Sequence, residues 1–502
     1  MTFGVIRAAI GSGRHDVDTF DDLARAALAE GEEAAALDLL LPMAERLAHP
    51  LLWQWAGLLQ RSIDEHEQAI VSFARAAALA PDDALIAHGQ ARVALEANGD
   101  AVDLFLRARE LAPADGEVAL GLAAARNAVG DAETAANELE ALLARAPAWT
   151  AGYEHLAQLR SIIGQRERAT ETLESSLWHF PREESLWTTL FRINIRAEDF
   201  EALGRNLERA ELAAISAESI AYYRAVAAAE LDDSTMPQHL FEAPPEIKDE
   251  LAIWRIRHLL RVGAIEEAGV LIDEELASHR AVSAWPYATL AWRLLGDPRS
   301  DWLEGDTQFV QTFDLTSVLP PLHLLGDTLR NLHNANAEYL DQSVRGGTQT
   351  DGPLLSRIDP VIRELRRAIV GAFETYRAAL PAPDPLHPLL SHGRDRRIRF
   401  AGSWSVRLRG GGRHANHVHP QGWISSALYV ALPEKAAGDP RDAGWLALGQ
   451  PQDQLALALE PRRKIEPQPG HLVLFPSWMW HGTVPFTGAE RLTVAFDVRP
   501  PI

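Results

Sequence analysis

The chain has 502 residues, enough for about three domains of ordinary size, and its 47% hydrophobic and 24% charged residues are typical of a folded protein. It carries 48 Lys and Arg against 70 Asp and Glu, a formal net charge of -22 that argues against a nucleic-acid partner. With no cysteine, disulfides, thiolate nucleophiles and Cys-ligated metals are excluded, so any metal must be held by His and carboxylates. Neither a targeting signal nor an apolar run of about 20 residues is visible. We therefore expect a cytoplasmic protein with no membrane partner.

A repeat of about 34 residues runs through the first part of the sequence. Its clearest marks are Pro81, Pro113, Pro147 and Pro181, which are separated by 32, 34 and 34 residues. The same skeleton precedes each proline, with small residues that let two helices approach closely and larger apolar residues that fill the space between them. Each proline ends a helix because it cannot continue the hydrogen-bond ladder. This pattern resembles the tetratricopeptide repeat and predicts a helical solenoid.

The sequence divides into three regions. We predict N-terminal helices over residues 1–48, tetratricopeptide-like helical repeats over 49–295 and a domain of another kind over 296–502. A Pro-containing interruption falls at residues 232–245. After residue 296 the composition becomes richer in Gly, Pro, Trp and Thr, which indicates a different fold class.

The third region combines a helix with short strands. One helix is predicted over residues 358–380, after which the apolar period switches from helical to two. A break is predicted at the Gly-rich residues 409–412, and the basic run at 394–399 is predicted to be a solvated approach to the first strand. Several short strands close together suggest a sandwich or barrel, so we expect an α+β domain. The predicted strands cover residues 398–408, 424–432, 471–475 and 491–498.

Histidines cluster at one point of this region. His414, His417 and His419 stand just before a predicted strand, and His481 follows the segment FPSWMW. Because residues two apart project to the same side of an extended segment, His417 and His419 face one way. A third ligand from a distant strand, with His481 as the candidate, would complete a facial triad that leaves positions open for a cosubstrate and O2. The alternative is a solvated loop with adventitious metal affinity.

Arg491 opens the last predicted strand, RLTVAFDV. It shares one face of that strand with Thr493 and Ala495, and burying a guanidinium there is unfavourable unless an anion pairs with it. The alternative is that Arg491 forms a surface ion pair with Glu490 or Asp497.

Together these motifs resemble the Fe(II)/2-oxoglutarate-dependent oxygenases, and most closely their 2OG-Fe(II) oxygenase branch, in which similar domains often follow tetratricopeptide repeats. The resemblance covers about 200 residues, is strongest over residues 404–498 and extends to the stretch at 345–350. It implies a multidomain chain: an all-α tetratricopeptide-repeat solenoid followed by an α+β domain with a double-stranded β-helix, or jelly-roll, barrel.

The resemblance also implies roles for individual residues. Most of the superfamily has Asp or Glu at the position of His419, so this chain departs from the usual two-His-one-carboxylate triad. A third neutral imidazole leaves the metal site more positive by one charge; alternatively, His419 does not ligate and a water fills the position. The implied metal ligands are His417, His419 and His481, and the implied 2-oxoglutarate-binding residues are Arg491, Thr493 and Tyr429.

The function that follows is an Fe(II)- and 2-oxoglutarate-dependent dioxygenase of the hydroxylase type, with O2 as the second cosubstrate. The concave groove of a repeat solenoid suits a protein or peptide, so we expect such a substrate. Trp404, Trp478 and Trp480 are candidates for the substrate pocket. For Trp478 and Trp480 the alternative is a place in the core or at the barrel rim, as for Phe486.

Two other functions are compatible with these residues. One is a cupin-like dioxygenase that uses three His ligands without 2-oxoglutarate, which would have no need of Arg491 as an oxoacid anchor. The other is an adaptor whose barrel has lost activity and merely packs on the solenoid, which metal analysis would distinguish.

Overall fold

The computed structural model describes residues 1–99, 101–231, 247, 249–340, 342–434 and 438–501, so the predicted interruption at 232–245 lies outside the described residues. Consecutive helices of the first part mostly pack against one another in chain order. No helix in the described ranges is both long and apolar enough to cross a membrane. The helices of this part are α1 (Phe3–Gly11), α2 (Val17–Glu30), α3 (Glu33–Leu47), α4 (Pro50–Ser62), α5 (His66–Leu79), α6 (Ala84–Asn98), α7 (Val102–Leu111), α8 (Gly116–Ala128), α9 (Ala132–Leu143), α10 (Thr150–Ile162), α11 (Glu171–His179), α12 (Glu184–Arg196), α13 (Phe200–Leu212), α14 (Ala217–Glu230), α15 (Ala252–Arg261), α16 (Ile265–Leu276) and α17 (Ala281–Leu295).

The four predicted repeat units are the helix pairs α4/α5, α6/α7, α8/α9 and α10/α11, and each predicted proline lies just beyond the second helix of its pair. Large aromatic rings of one helix fill the space left by glycines of the neighbouring helices. A Cβ added to Gly57 or Gly89 would lie 2.6 or 2.3 Å from the Phe73 ring, and one added to Gly121 would lie 2.1 Å from the Phe105 ring. The predicted role of small residues in close helix packing is therefore confirmed.

The second part is an α+β domain with two antiparallel sheets, which agrees with the predicted fold class. The strand order is β1-β7-β4-β9-β3-β2 in the six-stranded sheet and β6-β5-β8 in the three-stranded sheet. Its helices are α18 (Arg299–Glu304), α19 (Leu322–Arg330) and α20 (Pro360–Ala379). Its strands are β1 (Gln311–Asp314), β2 (Val344–Gln349), β3 (Phe400–His414), β4 (Ile424–Ala431), β5 (Leu446–Leu448), β6 (Arg463–Ile465), β7 (His471–Pro476), β8 (His481–Thr483) and β9 (Glu490–Val498).

The predicted break at residues 409–412 is wrong, because β3 continues through it to His414. The register with β2 passes from Gly347 opposite Leu408 to Arg345 opposite Arg413, so the Gly-rich residues form a bulge. Gly411 adopts a φ of +80°, which glycine tolerates without a side-chain penalty. The glycines thus bend the strand instead of ending it.

The last helices before the β domain share its hydrophobic core. Ile256 of α15, Ile272 of α16 and Trp292 of α17 belong to the same buried cluster as Phe373 of α20 and Phe475 of β7. The boundary predicted at residue 296 therefore does not coincide with a gap between two cores.

The basic run before β3 is exposed at residues 395–397, as predicted for a solvated approach to the strand, but it also contacts the helical part of the chain. Its arginines form ion pairs with carboxylates of the helical part of the chain. The Glu33 carboxylate is almost completely buried at this contact. The ion pairs are Arg396–Glu32 at 3.3 Å, Arg397–Glu65 at 3.1 Å and Arg399–Glu33.

The close approach of Gly121 to Phe105 predicts that Gly121→Ala destabilises the repeats by about 1–3 kcal/mol, since the added methyl overpacks the α7–α8 contact. Thermal unfolding together with hydrogen exchange of α7 and α8 measures the effect. The matched control is Gly371→Ala in α20, where a Cβ meets nothing within 4 Å. This control should gain about 0.5–1 kcal/mol from the better helix former. Equal responses of the two variants would contradict the packing argument.

Candidate metal centre

Two histidines far apart in the sequence are joined through their backbones. His417 lies in the loop after β3, His481 begins β8, and the N–H of each donates to the carbonyl of the other at 3.0 and 2.9 Å. His419, the third predicted ligand, is held close to the residues before His481, because its N–H donates to the Ser477 carbonyl at 3.0 Å. One ligand nitrogen from each of the three predicted histidines lies within 4.8 Å of the others.

Each of the three imidazoles has a hydrogen-bond acceptor at Nδ1. A backbone carbonyl can only accept a hydrogen bond, so an Nδ1 facing one carries the proton and leaves the Nε2 lone pair free. This arrangement presents three Nε2 atoms as ligands, which suits a divalent first-row metal ion such as Fe(II). The pairs are His417 with the Ala415 carbonyl at 2.8 Å, His481 with the Met479 carbonyl at 2.9 Å, and His419 with the Asp497 carboxylate at 2.8 Å.

The protonation of these histidines follows from their surroundings. Burial and the neighbouring His419 lower the pKa of His417 to about 3, and burial and His417 hold the pKa of His481 well below its usual value. Burial alone would lower the pKa of His419, but the Asp497 carboxylate raises it. His417 and His481 are therefore neutral near pH 7, which is the form that binds a metal.

Asp497 is a site residue that the sequence analysis considered only as an ion-pair partner of Arg491. It is 7% exposed, and the Ser425 hydroxyl lies 2.6 Å from its second carboxylate oxygen. The signal was available, since the alternation that places Arg491 and Thr493 on one face of β9 extends to Asp497. The Trp404 ring stacks on the His419 ring, with the two ring centroids 5.7 Å apart.

Arg491 is 3% exposed and does not form the surface ion pair considered as an alternative. Glu490 pairs instead with Arg330 at 2.8 Å and Arg407 at 2.6 Å. The Arg491 guanidinium lies 5.2 Å from the centre of the Tyr429 ring. Within the described residues neither Arg491 Nε nor the Tyr429 hydroxyl has a hydrogen-bond partner. Unpaired buried donors of this kind mark a place where an anion would fit.

One cavity unites most of the predicted site. It is lined by the three histidines together with Trp404, Arg491 and Thr493, and Asp497 also reaches it.

The other two tryptophans lie in the core instead of at the cavity wall, where they were predicted as pocket candidates. The Trp480 indole donates to the Pro286 carbonyl of α17 at 2.8 Å and packs on Tyr287. Trp478 packs against His387. The contacts that bury them come from elements distant in the sequence, so the local aromatic pattern could not distinguish the two environments.

Two further cavities continue from this one toward the repeats. The first shares Gln342, Gln349 and Trp404 with the histidine cavity and extends to His155 and Gln158 of α10. The second shares His155 and residues 351–353 with the first. It ends at His88 and Arg92 of α6. The helices on this path, α6, α8 and α10, are the first helices of successive repeat units.

Residues 402–497 match the family described as putative 2OG-Fe(II) oxygenase. This part of the C-terminal region, from β3 to β9, is therefore similar to that oxygenase family. The matched segment contains every residue of the predicted metal and 2-oxoglutarate sites, and it follows tetratricopeptide repeats, as the sequence resemblance predicts. No curated protein matches the chain.

Several solved structures are similar to parts of this chain. A Pseudomonas putida prolyl-4-hydroxylase is 20% identical, covering 39% of this chain and 94% of its own, with a TM-score of 0.27. YrrB, described as a TPR protein with an unusual peptide-binding site, is 18% identical over 36% of this chain and 95% of its own, with a TM-score of 0.29. A tetratricopeptide repeat protein from Parabacteroides merdae is 15% identical over 44% of this chain and 89% of its own, with a TM-score of 0.32.

The geometry of the three histidines predicts that His417→Ala and His481→Ala each abolish stoichiometric Fe(II) binding while the circular dichroism spectrum stays unchanged. Anaerobic titration calorimetry measures the binding. His414→Ala is the matched control, because this histidine lines the same cavity and stacks on His417 but lies outside the group of three. It should bind one Fe(II) like the parent protein.

His419→Ala decides the size of the ligand set. If His419 is the third ligand, the variant should lose most of its Fe(II) affinity in the same titration. Parental affinity in this variant would leave the site with only two protein ligands.

Proposed function

We propose that the protein is an Fe(II)- and 2-oxoglutarate-dependent dioxygenase that hydroxylates a protein or peptide substrate bound by its repeat domain. The observation that carries the proposal is a single cavity with three Nε2-presenting imidazoles on one side and the buried Arg491 on another. The match of residues 402–497 to the oxygenase family supports the same conclusion.

The residues divide the work between metal and cosubstrate. His417, His419 and His481 would hold Fe(II). Bound Fe(II) would supply the oxidising chemistry, in which 2-oxoglutarate, O2 and a substrate C–H group give succinate, CO2 and a hydroxylated product.

The cosubstrate would be held by its distal carboxylate. The planar Arg491 guanidinium matches a carboxylate with two parallel hydrogen bonds, and such charge-assisted bonds are strong in a cavity with little water. The Tyr429 hydroxyl stands beside it without a partner among the described residues, and Thr493 lines the same cavity. A cupin-like dioxygenase that works without 2-oxoglutarate would have no use for this buried cation, so the 2-oxoglutarate-dependent reaction is favoured.

The proposed substrate follows from the cavities that run from the oxygenase site to the repeats. Asn127, His155, Gln158, Gln342 and Gln349 along this path carry donors and acceptors suited to the N–H and C=O groups of an extended peptide. A peptide lying on α6, α8 and α10 would reach the histidines past Trp404.

Arg491→Ala should weaken 2-oxoglutarate binding about ten- to a hundred-fold, because losing hydrogen bonds to a charged group costs about 1.5–3 kcal/mol. Fe(II) binding should stay parental, and Arg491→Lys should recover part of the loss. Anaerobic titration of the Fe(II)-loaded protein, followed by the visible charge-transfer band, measures the affinity. The control is Arg407→Ala on the adjacent strand β3, whose guanidinium pairs with Glu490. Unchanged affinity in Arg491→Ala would contradict the cosubstrate assignment.

The substrate path predicts a separate effect on peptides. Substrate peptides are first selected from a library by the succinate that the parent protein forms with them. His155→Trp should turn these peptides over at least about ten-fold more slowly, because the larger side chain fills the cavity beside α10. Its affinity for 2-oxoglutarate should stay parental. His179→Trp is the matched control, since His179 is exposed at the end of α11 and lies outside these cavities. Full peptide turnover in His155→Trp would place the substrate elsewhere.

A further inference from the structure

The three histidines do not have equivalent acceptors behind them. His417 and His481 each face a neutral backbone carbonyl, whereas His419 faces a carboxylate. The carboxylate belongs to Asp497, whose two oxygens are taken by His419 Nδ1 at 2.8 Å and by the Ser425 hydroxyl at 2.6 Å. A carboxylate on the far nitrogen fixes the ring and makes the imidazole a stronger metal ligand than a carbonyl does.

The surroundings hold this pair in one geometry. The Ser425 hydroxyl is also 3.0 Å from the Ser477 hydroxyl, and Ser477 accepts the backbone N–H of His419. Trp404 stacks on the His419 ring. Asp497, Ser425 and Ser477 thus form one connected set of contacts around His419.

We propose that Asp497 is a positioning residue that orients His419 and brings a negative charge to a metal centre whose three direct ligands are neutral. The inference rests on the proposed function, because it requires that the histidines bind a metal. The carboxylate then acts from behind the third imidazole instead of touching the metal. His419 is the ligand through which the whole effect passes.

The test is a double-mutant cycle of metal affinity that does not depend on turnover. Co(II) serves as the probe, because its visible absorption reports both occupancy and ligand geometry. Asp497→Asn should weaken Co(II) binding about ten- to a hundred-fold and alter its absorption spectrum, as loss of such a partner typically does. In the His419→Ala background the same substitution should change the affinity little, since residues that act as a unit are not additive.

Two further variants complete the design. Ser425→Ala leaves Asp497 in place but removes a hydrogen bond to its carboxylate, so it should produce a smaller loss that also disappears in the His419→Ala background. If Asp497→Asn does not fold, this variant carries the test. Asp442→Asn is the matched control, because Asp442 pairs with Lys464 in the same domain and should leave Co(II) binding parental.

The outcomes separate the inference from the proposed function. Parental Co(II) affinity in Asp497→Asn would overturn the role of Asp497 while leaving the metal site intact. Equal losses in both backgrounds would also overturn it, because Asp497 would then act through the fold or through its general field. A parent protein that does not bind Co(II) would overturn the proposed function itself, and the inference with it.

Discussion

The candidate metal site depends on two backbone hydrogen bonds between His417 and His481. They join a loop that follows β3 to the first residue of β8, and β8 in turn pairs with β5, where Leu448 stands opposite His481. This pairing brings the two rings to a centroid distance of 4.2 Å. The protein therefore assembles the ligand set through its sheet structure, and burial keeps these two rings neutral.

The sequence was informative wherever a local period decides which way a side chain points. The alternation in β9 correctly grouped Arg491 with Thr493 on the face that lines the cavity, and the 34-residue spacing of prolines predicted the helix pairs. The contacts of Trp480 and of the arginines before β3 could not be predicted from a local period. Their partners, such as Pro286 and Glu33, lie in elements that only the tertiary fold brings near.

The repeats and the oxygenase region are joined by polar contacts on the side where the cavities run. The Ile358 N–H donates to the Ala97 carbonyl of α6, and the Asn336 N–H donates to the Ile162 carbonyl of α10, at 2.9 and 2.8 Å. The Asn127 amide donates to Asp351 at 2.8 Å. These bonds set the distance between the helices of the solenoid and the mouth of the histidine cavity, so the shape of the path depends on both parts of the chain.

The core that α15–α17 share with the two sheets has a consequence for how the protein unfolds. If the chain were divided after residue 295, the N-terminal fragment would expose the buried faces around Ile256, Ile272 and Trp292 to water. The C-terminal fragment would lose the Pro286 carbonyl that accepts the Trp480 indole N–H. We therefore expect α15–α17 to unfold together with the β domain as one cooperative unit.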